Sequence, residues 1–136
     1  MEVIGNGVDI VENSRIKKLI KKIKFIKRIY STHEIKKSKY IKNKVNFFAK
    51  RFAAKEAFVK SIGLGFRKGI NLKDICVHKD KLGKPKIVLN SKVKKVLSKK
   101  FNSNRFKIFL SLSEAMSKAL VYQQGLYEFF PKKGPV

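Results

Sequence analysis

One short segment concentrates the acidic and basic side chains that could do chemistry. On an α-helix, Arg51 lies one turn before Lys55, and Glu56 lies one turn before Lys60. Phe52 precedes Glu56 by one turn, so this carboxylate lies on or beside an apolar stripe, where an unpaired charge is costly. An ordinary Glu56–Lys60 surface pair, worth about 0.3–0.5 kcal/mol, is the alternative interpretation.

A second carboxylate lies on a strand predicted from Val3 to Val11. The period-2 pattern of this strand separates an apolar face from a face of small residues and one acid. The apolar face carries Ile4, Val8 and Ile10, and the other face carries Gly5, Gly7 and Asp9. Two glycines beside an aspartate indicate a face that another group approaches closely.

These residue types together could form a phosphate-transfer site. Asp9 and Glu56 could hold one Mg²⁺, which takes one or two protein carboxylates together with phosphate oxygens and water. Arg51, Lys55 and Lys60 would neutralise the rest of a diphosphate. A glycine-rich loop from Gly63 to Gly69 offers backbone N–H groups to an anion. Spacing alone leaves the pairing of Asp9 with Glu56 open.

The remaining pattern predicts an α+β fold with a largely antiparallel sheet packed against helices. A helix capped by Asn13 or Ser14 is expected to run to about Tyr30, and Ser31 to Glu34 has the form of a capping box that opens a second helix. Later elements follow in order along the chain. They are a helix from Val45 to Ile62 that ends at Gly63, a hairpin of strands Asp74–His78 and Lys84–Leu89 around a turn at Asp80–Gly83, a helix from Ser91 to Lys100, and strands from Phe106 to Ser113 and within Ala119–Phe129.

Composition limits the classes of function. The 136 residues suit one domain, predicted over residues 1–130 and followed by a loose tail at 131–136. One cysteine and two histidines exclude a disulfide scaffold and a metal site built from several Cys or His residues within one chain. Apolar runs are too short for a membrane span, which together with the absence of a signal-peptide pattern predicts a cytoplasmic protein.

The charge favours a polyanionic partner. The chain has 34 Lys and Arg against 9 Asp and Glu, a formal net charge of +25. Nucleic acid, anionic lipid, a phosphorylated cofactor and an acidic protein would all be attracted. A basic nucleic-acid-binding module is therefore one candidate, although the sequence shows none of the zinc-finger, RNP or GXXG motifs of specific nucleic-acid readers. Such a module leaves the carboxylates Asp9 and Glu56 without a role.

Four blocks, in order, resemble the holo-[acyl-carrier-protein] synthases, which are short 4′-phosphopantetheinyl transferases. They are Ile4–Glu12 with the following Arg15, Phe48–Lys60, Gly63–Gly65 and Asp80–Pro85. The resemblance implies a Mg²⁺-dependent transfer of 4′-phosphopantetheine from coenzyme A to a serine of apo acyl carrier protein, in support of fatty acid biosynthesis. It also implies a small α+β fold that forms homotrimers, with each active site between two subunits.

The resemblance also implies roles for individual residues. Asp9 and Glu56 match the metal ligands and, with Lys60, the catalytic residues. Coenzyme A would be bound by Arg51, Lys55, Lys60, Gly63, Gly65, Lys84 and Pro85. The acidic carrier would dock on Arg15, Lys18, Lys21 and Lys22. A carboxylate or a bound water would take the serine proton.

One block departs from the family pattern. Glu114 follows Ser111-Leu112-Ser113, where many members carry histidine. A family member that binds coenzyme A without catalysis is therefore a further alternative.

Overall fold

The fold was analysed in a computed structural model of the chain. The structure describes residues 5–63, 69–110 and 112, and the backbone of residues 118–121. Gly65, Glu114, the strand expected beyond Val121 and the tail at 131–136 lie outside the described residues.

Five α-helices and four strands are described. A short 3₁₀ turn, Leu72–Asp74, precedes the second of these strands. In chain order the elements are β1 (Asp9–Glu12), α1 (Asn13–Leu19), α2 (Ile23–Ile29), α3 (Thr32–Ser38), α4 (Lys44–Ile62), β2 (Ile75–Lys79), β3 (Pro85–Leu89), α5 (Ser91–Phe101) and β4 (Lys118–Val121).

Helix α4 is the centre of the core, and its prediction is confirmed. Its aromatic and alanine side chains are buried around much of the helix circumference. The small alanine side chains let neighbouring elements pack closely. The side chain of Asn43 accepts from the backbone N–H of Asn46 at 3.0 Å and caps the start. Gly63 ends the helix in the left-handed conformation, at φ 66°.

The single helix predicted up to Tyr30 is wrong. The chain turns between Leu19 and Ile23, where the N–H of Lys22 donates to the carbonyl of Leu19 at 3.0 Å. Ile16 of α1 and Ile29 of α2 are both buried in the same core. A straight helix over these residues would be about 25 Å long, so the turn allows both ends to reach that core. The predicted cap is also wrong, because Glu12 precedes α1 and makes no capping bond with its side chain.

The capping box at the start of α3 is confirmed. Oγ of Ser31 accepts from the N–H of Glu34 at 3.2 Å, and Oε1 of Glu34 accepts from the N–H of Ser31 at 2.9 Å. Glu34 is fully buried, so the carboxylate also faces other elements of the core.

The described strands form two antiparallel pairs. β1 pairs with β4, with Asp9 opposite Val121. The predicted hairpin is confirmed, since β2 pairs with β3 and places Lys79 opposite Pro85. The strand expected from Phe106 is wrong over its described part, because residues 105–110 form neither helix nor strand although Leu110 is buried.

The strand predicted from Val3 to Val11 is wrong over residues 5–8, which form neither helix nor strand, and β1 begins only at Asp9. The side chains of this segment and of β1 still alternate in a way that matters for the site. Gly7 and Val11 are buried, whereas Val8 and Ile10 are 43% and 55% exposed. The face with the glycines and Asp9 therefore packs on α4, and the apolar side chains point away from this core. In the part of the chain that the structure describes, no helix has the length and hydrophobicity needed to span a membrane.

Candidate active site

Strand β1 and the second half of α4 bring Asp9 and Lys60 into contact. Nζ of Lys60 donates to Oδ1 of Asp9 at 2.6 Å and lies 3.5 Å from the carbonyl oxygen of Val8. The Asp9 side chain is 13% exposed and that of Lys60 is 56% exposed. The pair is therefore at the surface, where a ligand can reach it.

Asp9 reaches this position because Gly7 lacks a side chain. A Cβ atom on Gly7 would lie 1.9 Å from the carbonyl oxygen of Ala57 and 3.0 Å from the nitrogen of Ser61. The segment that leads into β1 thus rests directly on the backbone of α4. The close approach predicted for this face is confirmed at Gly7, and the approaching group is the helix that carries Glu56 and Lys60.

Glu56 lies one turn before Lys60 on α4 and is half-buried. Burial raises the pKa of Glu56, and the negative charge of Asp9 raises it further, while Lys60 and Arg15 act in the opposite direction. The two carboxylates therefore share one electrostatic environment. Two repelling carboxylates in a partly desolvated site favour the binding of a cation.

The donor set at this position fits a hard divalent cation. Carboxylate oxygens are the protein ligands that Mg²⁺ prefers, and this ion usually keeps several waters and takes phosphate oxygens. Within residues 5–63, 69–110 and 112, no three His, Cys, Asp or Glu side chains group closely enough to hold a metal by themselves. Asp9 and Glu56 would therefore supply two ligands, and the other positions would be left to water and substrate.

A cavity of about 450 Å³ opens beside Glu56. Its walls are apolar, with Leu19 and Phe25 on one side and Phe52 on the other. Two arginines contribute to the lining, Arg15 from α1 and Arg28 from α2. Arg15 also lies over the Phe52 ring, with Cζ 5.9 Å from the ring centroid. The cavity thus combines an apolar interior with positive charge next to a candidate metal ligand.

A second cluster of charge is centred on Arg51, which lies on a different face of α4. Arg51 and Glu56 are five residues apart, which corresponds to about 140° around a helix. Arg51 is 6% exposed, its Nη1 donates to the carbonyl of Phe47 at 3.3 Å, and its guanidinium stacks 3.5 Å from the Phe47 ring centroid. Its Nε is buried and has no hydrogen-bond partner in the described structure.

Arg51 lines a pocket of about 380 Å³ that is rich in cations. The hairpin positions the rest of the pocket, because Oδ1 of Asp80 accepts from the N–H groups of Leu82 and Lys84 at 2.9 and 2.8 Å. Gly83 supplies the left-handed residue of that turn, at φ 83°. The basic and turn residues of the pocket are Lys50, Arg51, Lys79, Gly83, Lys84 and Pro85.

The expectation that Lys55 binds coenzyme A is corrected by its burial. Its side chain is 0% exposed, and Nζ donates to Oε1 of Glu34 at 2.6 Å. The same ammonium donates to the carbonyl oxygens of Leu72 and Ile75, at 3.0 and 2.5 Å. All three N–H donors are used inside the core. Lys55 is therefore a structural cation that joins α4 to α3 and β2.

Comparison with known proteins gives the family. Residues 5–110 match the model of the 4′-phosphopantetheinyl transferase superfamily. The chain belongs to this family. The holo-[acyl-carrier-protein] synthase of Pelagibacter ubique is 52% identical over 122 residues, which cover 90% of this chain and 95% of the relative. The family and the enzyme class predicted from the sequence are therefore confirmed.

Solved structures of the family share the fold. The holo-[acyl-carrier-protein] synthase of Neisseria meningitidis superposes with a TM-score of 0.80 at 35% identity, covering 89% of this chain and 96% of that one. The Bacillus anthracis enzyme, in complex with coenzyme A (3′,5′-ADP), gives 0.70 at 31% identity, covering 90% and 98%. The predicted α+β fold is confirmed, and the described strands form small antiparallel pairs.

Within this family framework, the predicted site residues fall into two groups. Asp9, Glu56 and Lys60 lie together, whereas Arg51, Lys84 and Pro85 line the other pocket. Gly63 ends α4, and its loop partner Gly65 lies outside the described residues. The predicted carrier-docking residues are all exposed, but two of them belong to the turn between α1 and α2 and not to a continuous helix face. These docking residues are Arg15, Lys18, Lys21 and Lys22.

Sequence reasoning missed three charged residues that the structure brings to these positions. Lys50 and Lys79 line the Arg51 pocket, and Arg28 lines the cavity beside Glu56. In a chain with 34 Lys and Arg residues, no local pattern distinguishes Lys50 or Arg28. The predicted hairpin could have suggested Lys79, since it lies opposite Pro85 in the register.

Proposed function

We propose that this protein transfers 4′-phosphopantetheine from coenzyme A to a serine hydroxyl of an acyl carrier protein. The serine oxygen forms a bond to the phosphorus next to the pantetheine, and the bond from that phosphorus to the bridging oxygen breaks. Adenosine 3′,5′-bisphosphate leaves, and the serine proton passes to a carboxylate or water at the site. Family membership and the names of the relatives support this reaction.

The single observation that carries the proposal is the convergence of Asp9, Glu56 and Lys60 where β1 rests on α4. The two carboxylates fit Mg²⁺, which when bound would neutralise diphosphate charge and align its oxygens. The Lys60 side chain is 56% exposed, so a phosphate oxygen could approach its ammonium and replace Asp9 as its partner. It would then stabilise the negative charge that develops on the departing bisphosphate.

The Arg51 pocket is proposed to take the nucleotide end of coenzyme A. Its cations suit the 3′-phosphate, and the buried, stacked guanidinium of Arg51 is held rigidly for such contact. Lys84 and Pro85 are presented by a turn whose backbone is tied to Asp80. The bound coenzyme A (3′,5′-ADP) of the Bacillus anthracis neighbour is consistent with a nucleotide site in this fold.

The cavity beside Glu56 is proposed to receive the part of the carrier that bears the serine. Acyl carrier proteins are acidic, and Arg15 and Arg28 lie at this cavity, so charge would guide the carrier to it. The apolar walls, including Phe25 and Phe52, would bury an apolar carrier side chain next to the reacting hydroxyl.

We further propose that the complete site forms between two copies in a homotrimer. The Arg51 pocket and the Asp9–Glu56 group lie on faces of α4 about 140° apart, so one coenzyme A would bridge them more readily across two subunits. The exposed apolar side chains of Val8 and Ile10 next to Asp9 supply surface for such an interface.

The reaction is tested with purified protein, apo acyl carrier protein, coenzyme A and Mg²⁺, followed by the intact mass of the carrier. A gain of one phosphopantetheine is expected, and it should vanish with a chelator or in Asp9→Ala. Glu56→Ala should abolish transfer while leaving binding to a bulk polyanion such as heparin unchanged. A folded protein that modifies none of several carriers would refute the active transferase.

The shared site is tested by mixing two inactive variants. One variant, Asp9→Ala, lacks a candidate metal ligand. The other combines Lys79→Ala with Lys84→Ala, which removes two exposed cations from the proposed nucleotide pocket. After co-refolding, mixed oligomers should regain part of the activity, because some sites combine intact halves. Mixtures that stay as inactive as either parent would show that each chain builds its own site.

A further inference from the structure

A third concave surface lies between α5, β3 and residues 104–108. Its volume is about 960 Å³, toward the upper end of the range for small-molecule sites, roughly 300–1,000 Å³. None of its lining residues belongs to the two groups assigned above to transfer. We call it the α5 groove.

The floor of the α5 groove is apolar. Ile87 and Leu89 come from β3, and Phe106 and Ile108 come from the segment after α5. These side chains are only partly covered by the core, apart from Leu89 at 9% exposure, and Val88 on the same strand is 39% exposed. An apolar surface of this extent at a concave site gains free energy when a hydrocarbon group covers it.

The rim of the groove is uniformly cationic. α5 contributes three lysines, and one basic residue comes from each of the other two walls. These five residues are Lys86, Lys94, Lys95, Lys99 and Arg105, and all are exposed. The lining described here includes no Asp or Glu, so the groove is complementary to a negative charge attached to an apolar body.

We propose that the α5 groove binds the anion of a medium-chain fatty acid such as dodecanoate, with the carboxylate among the lysines of α5 and the hydrocarbon chain along the floor. Lysine stems add to the apolar surface while their ammonium groups stay in water. Residues 131–136 bring two more lysines and no Asp or Glu, so they would add to the positive charge of the rim and would not neutralise it. A small anionic amphiphile satisfies both the floor and the rim.

The binding test uses the intact protein without coenzyme A or carrier, so its outcome does not depend on the proposed transfer reaction. Dodecanoate, below its micelle concentration, is titrated into the protein by calorimetry. Dodecyltrimethylammonium has the same chain with the opposite charge, and acetate has the same head without the chain. We expect saturable binding of dodecanoate and at least tenfold weaker binding of both controls.

Matched variants locate the site. Lys95→Glu with Lys99→Glu should weaken dodecanoate binding at least tenfold, and Val88→Glu should weaken it as well because it places a carboxylate beside the chain. Lys36→Glu with Lys37→Glu makes the same change in net charge on exposed positions of α3 and should alter binding less than twofold.

Three results would overturn the proposal. The first is equal binding of the anionic and cationic amphiphiles, which would indicate nonspecific hydrophobic adsorption. The second is an equal loss in the α3 and α5 double variants, which would indicate a general charge effect. The third is competition by a single-stranded oligonucleotide that displaces dodecanoate and depends on the same lysines, which would indicate that the groove binds polyanions.

Discussion

The ammonium of Lys60 lies 2.6 Å from the carboxylate of Asp9, although 51 residues separate them along the chain. The contact joins the beginning of the chain to the helix that carries Glu56. It holds one positive charge beside two negative ones at a position open to solvent. A ligand with phosphate groups and a cation would find charges of both signs already placed there, which lowers the cost of reorganisation.

Lys60 can therefore be tested as a phosphate contact. Lys60→Met should lower kcat/KM for coenzyme A by about 10²-fold, within the range for loss of one charged stabilising group, while the thermal stability changes little because the side chain is exposed. Lys60→Arg should recover part of the activity. Lys73→Met, an exposed lysine elsewhere, serves as the control, and an equal loss in both variants would count against a specific role.

Substitution of Glu56 is expected to show a trade-off between stability and activity. Burial and the neighbouring charge of Asp9 both raise the pKa of Glu56, so its ionised form is destabilising in the protein without a bound cation. Glu56→Gln should raise the melting temperature in chelator and abolish transfer, as is common for functional carboxylates. Calorimetry with and without Mg²⁺ measures the effect. A lower melting temperature in chelator would contradict it.

Gly7 should tolerate no side chain. Gly7→Ala places Cβ against the carbonyl of Ala57, so β1 must move or the helix must distort, at a cost of about 1–3 kcal/mol. Because Asp9 moves with the strand, transfer should fall about 10²-fold, as expected for misplacement of a reacting group by roughly 1 Å. Gly83→Asn is the control: its Cβ position is open, and Asn accepts a positive φ, so stability should be retained.

The Glu34–Lys55 pair predicts a strongly non-additive double-mutant cycle. Oε1 of Glu34 binds Lys55, and Oε2 accepts from the N–H of Val77 at 3.2 Å, all within the core. Lys55→Met leaves a buried carboxylate uncompensated and should cost about 3–5 kcal/mol, whereas adding Glu34→Gln should restore much of this. Urea denaturation measures the cycle. If the folded double variant lost coenzyme A affinity, the structural role assigned to Lys55 would be wrong.

The stacked histidines give an acid-sensitive contact. The rings of His33 and His78 lie parallel, with centroids 4.0 Å apart. Burial lowers the pKa of His78, and the neighbouring His33 lowers it further. The folded protein then binds fewer protons than the unfolded chain, so stability should fall as the pH drops through the ordinary histidine range near 6.5.

His78→Phe isolates this effect, because it keeps an aromatic ring on His33 and removes the titrating group. When the pH is lowered from 7.5 to 5.5, the melting temperature of the variant should fall less than that of the parent protein. An identical slope in both proteins would show that other groups control the acid response.

Local sequence signals determined much of the framework. The capping box at Ser31, the glycine that ends α4 and the Asp80–Gly83 turn all act through contacts within a few residues, so their elements could be predicted. The helix from Val45 was predicted for the same reason, and it places Glu56 and Lys60 one turn apart whatever surrounds it. The family blocks identified the chemistry because their residue types occur in a fixed order.

Tertiary structure decided the roles that depend on burial and on distant contacts. Lys55 and Lys60 look alike in the sequence, yet one has all its donors used by Glu34 and two carbonyls and the other meets Asp9 at the surface. The turn between Leu19 and Ile23 likewise arises because two distant isoleucines share one core. Charge, desolvation and close packing act between residues far apart in the chain, so only the fold determines which lysine is structural and which can contact a substrate.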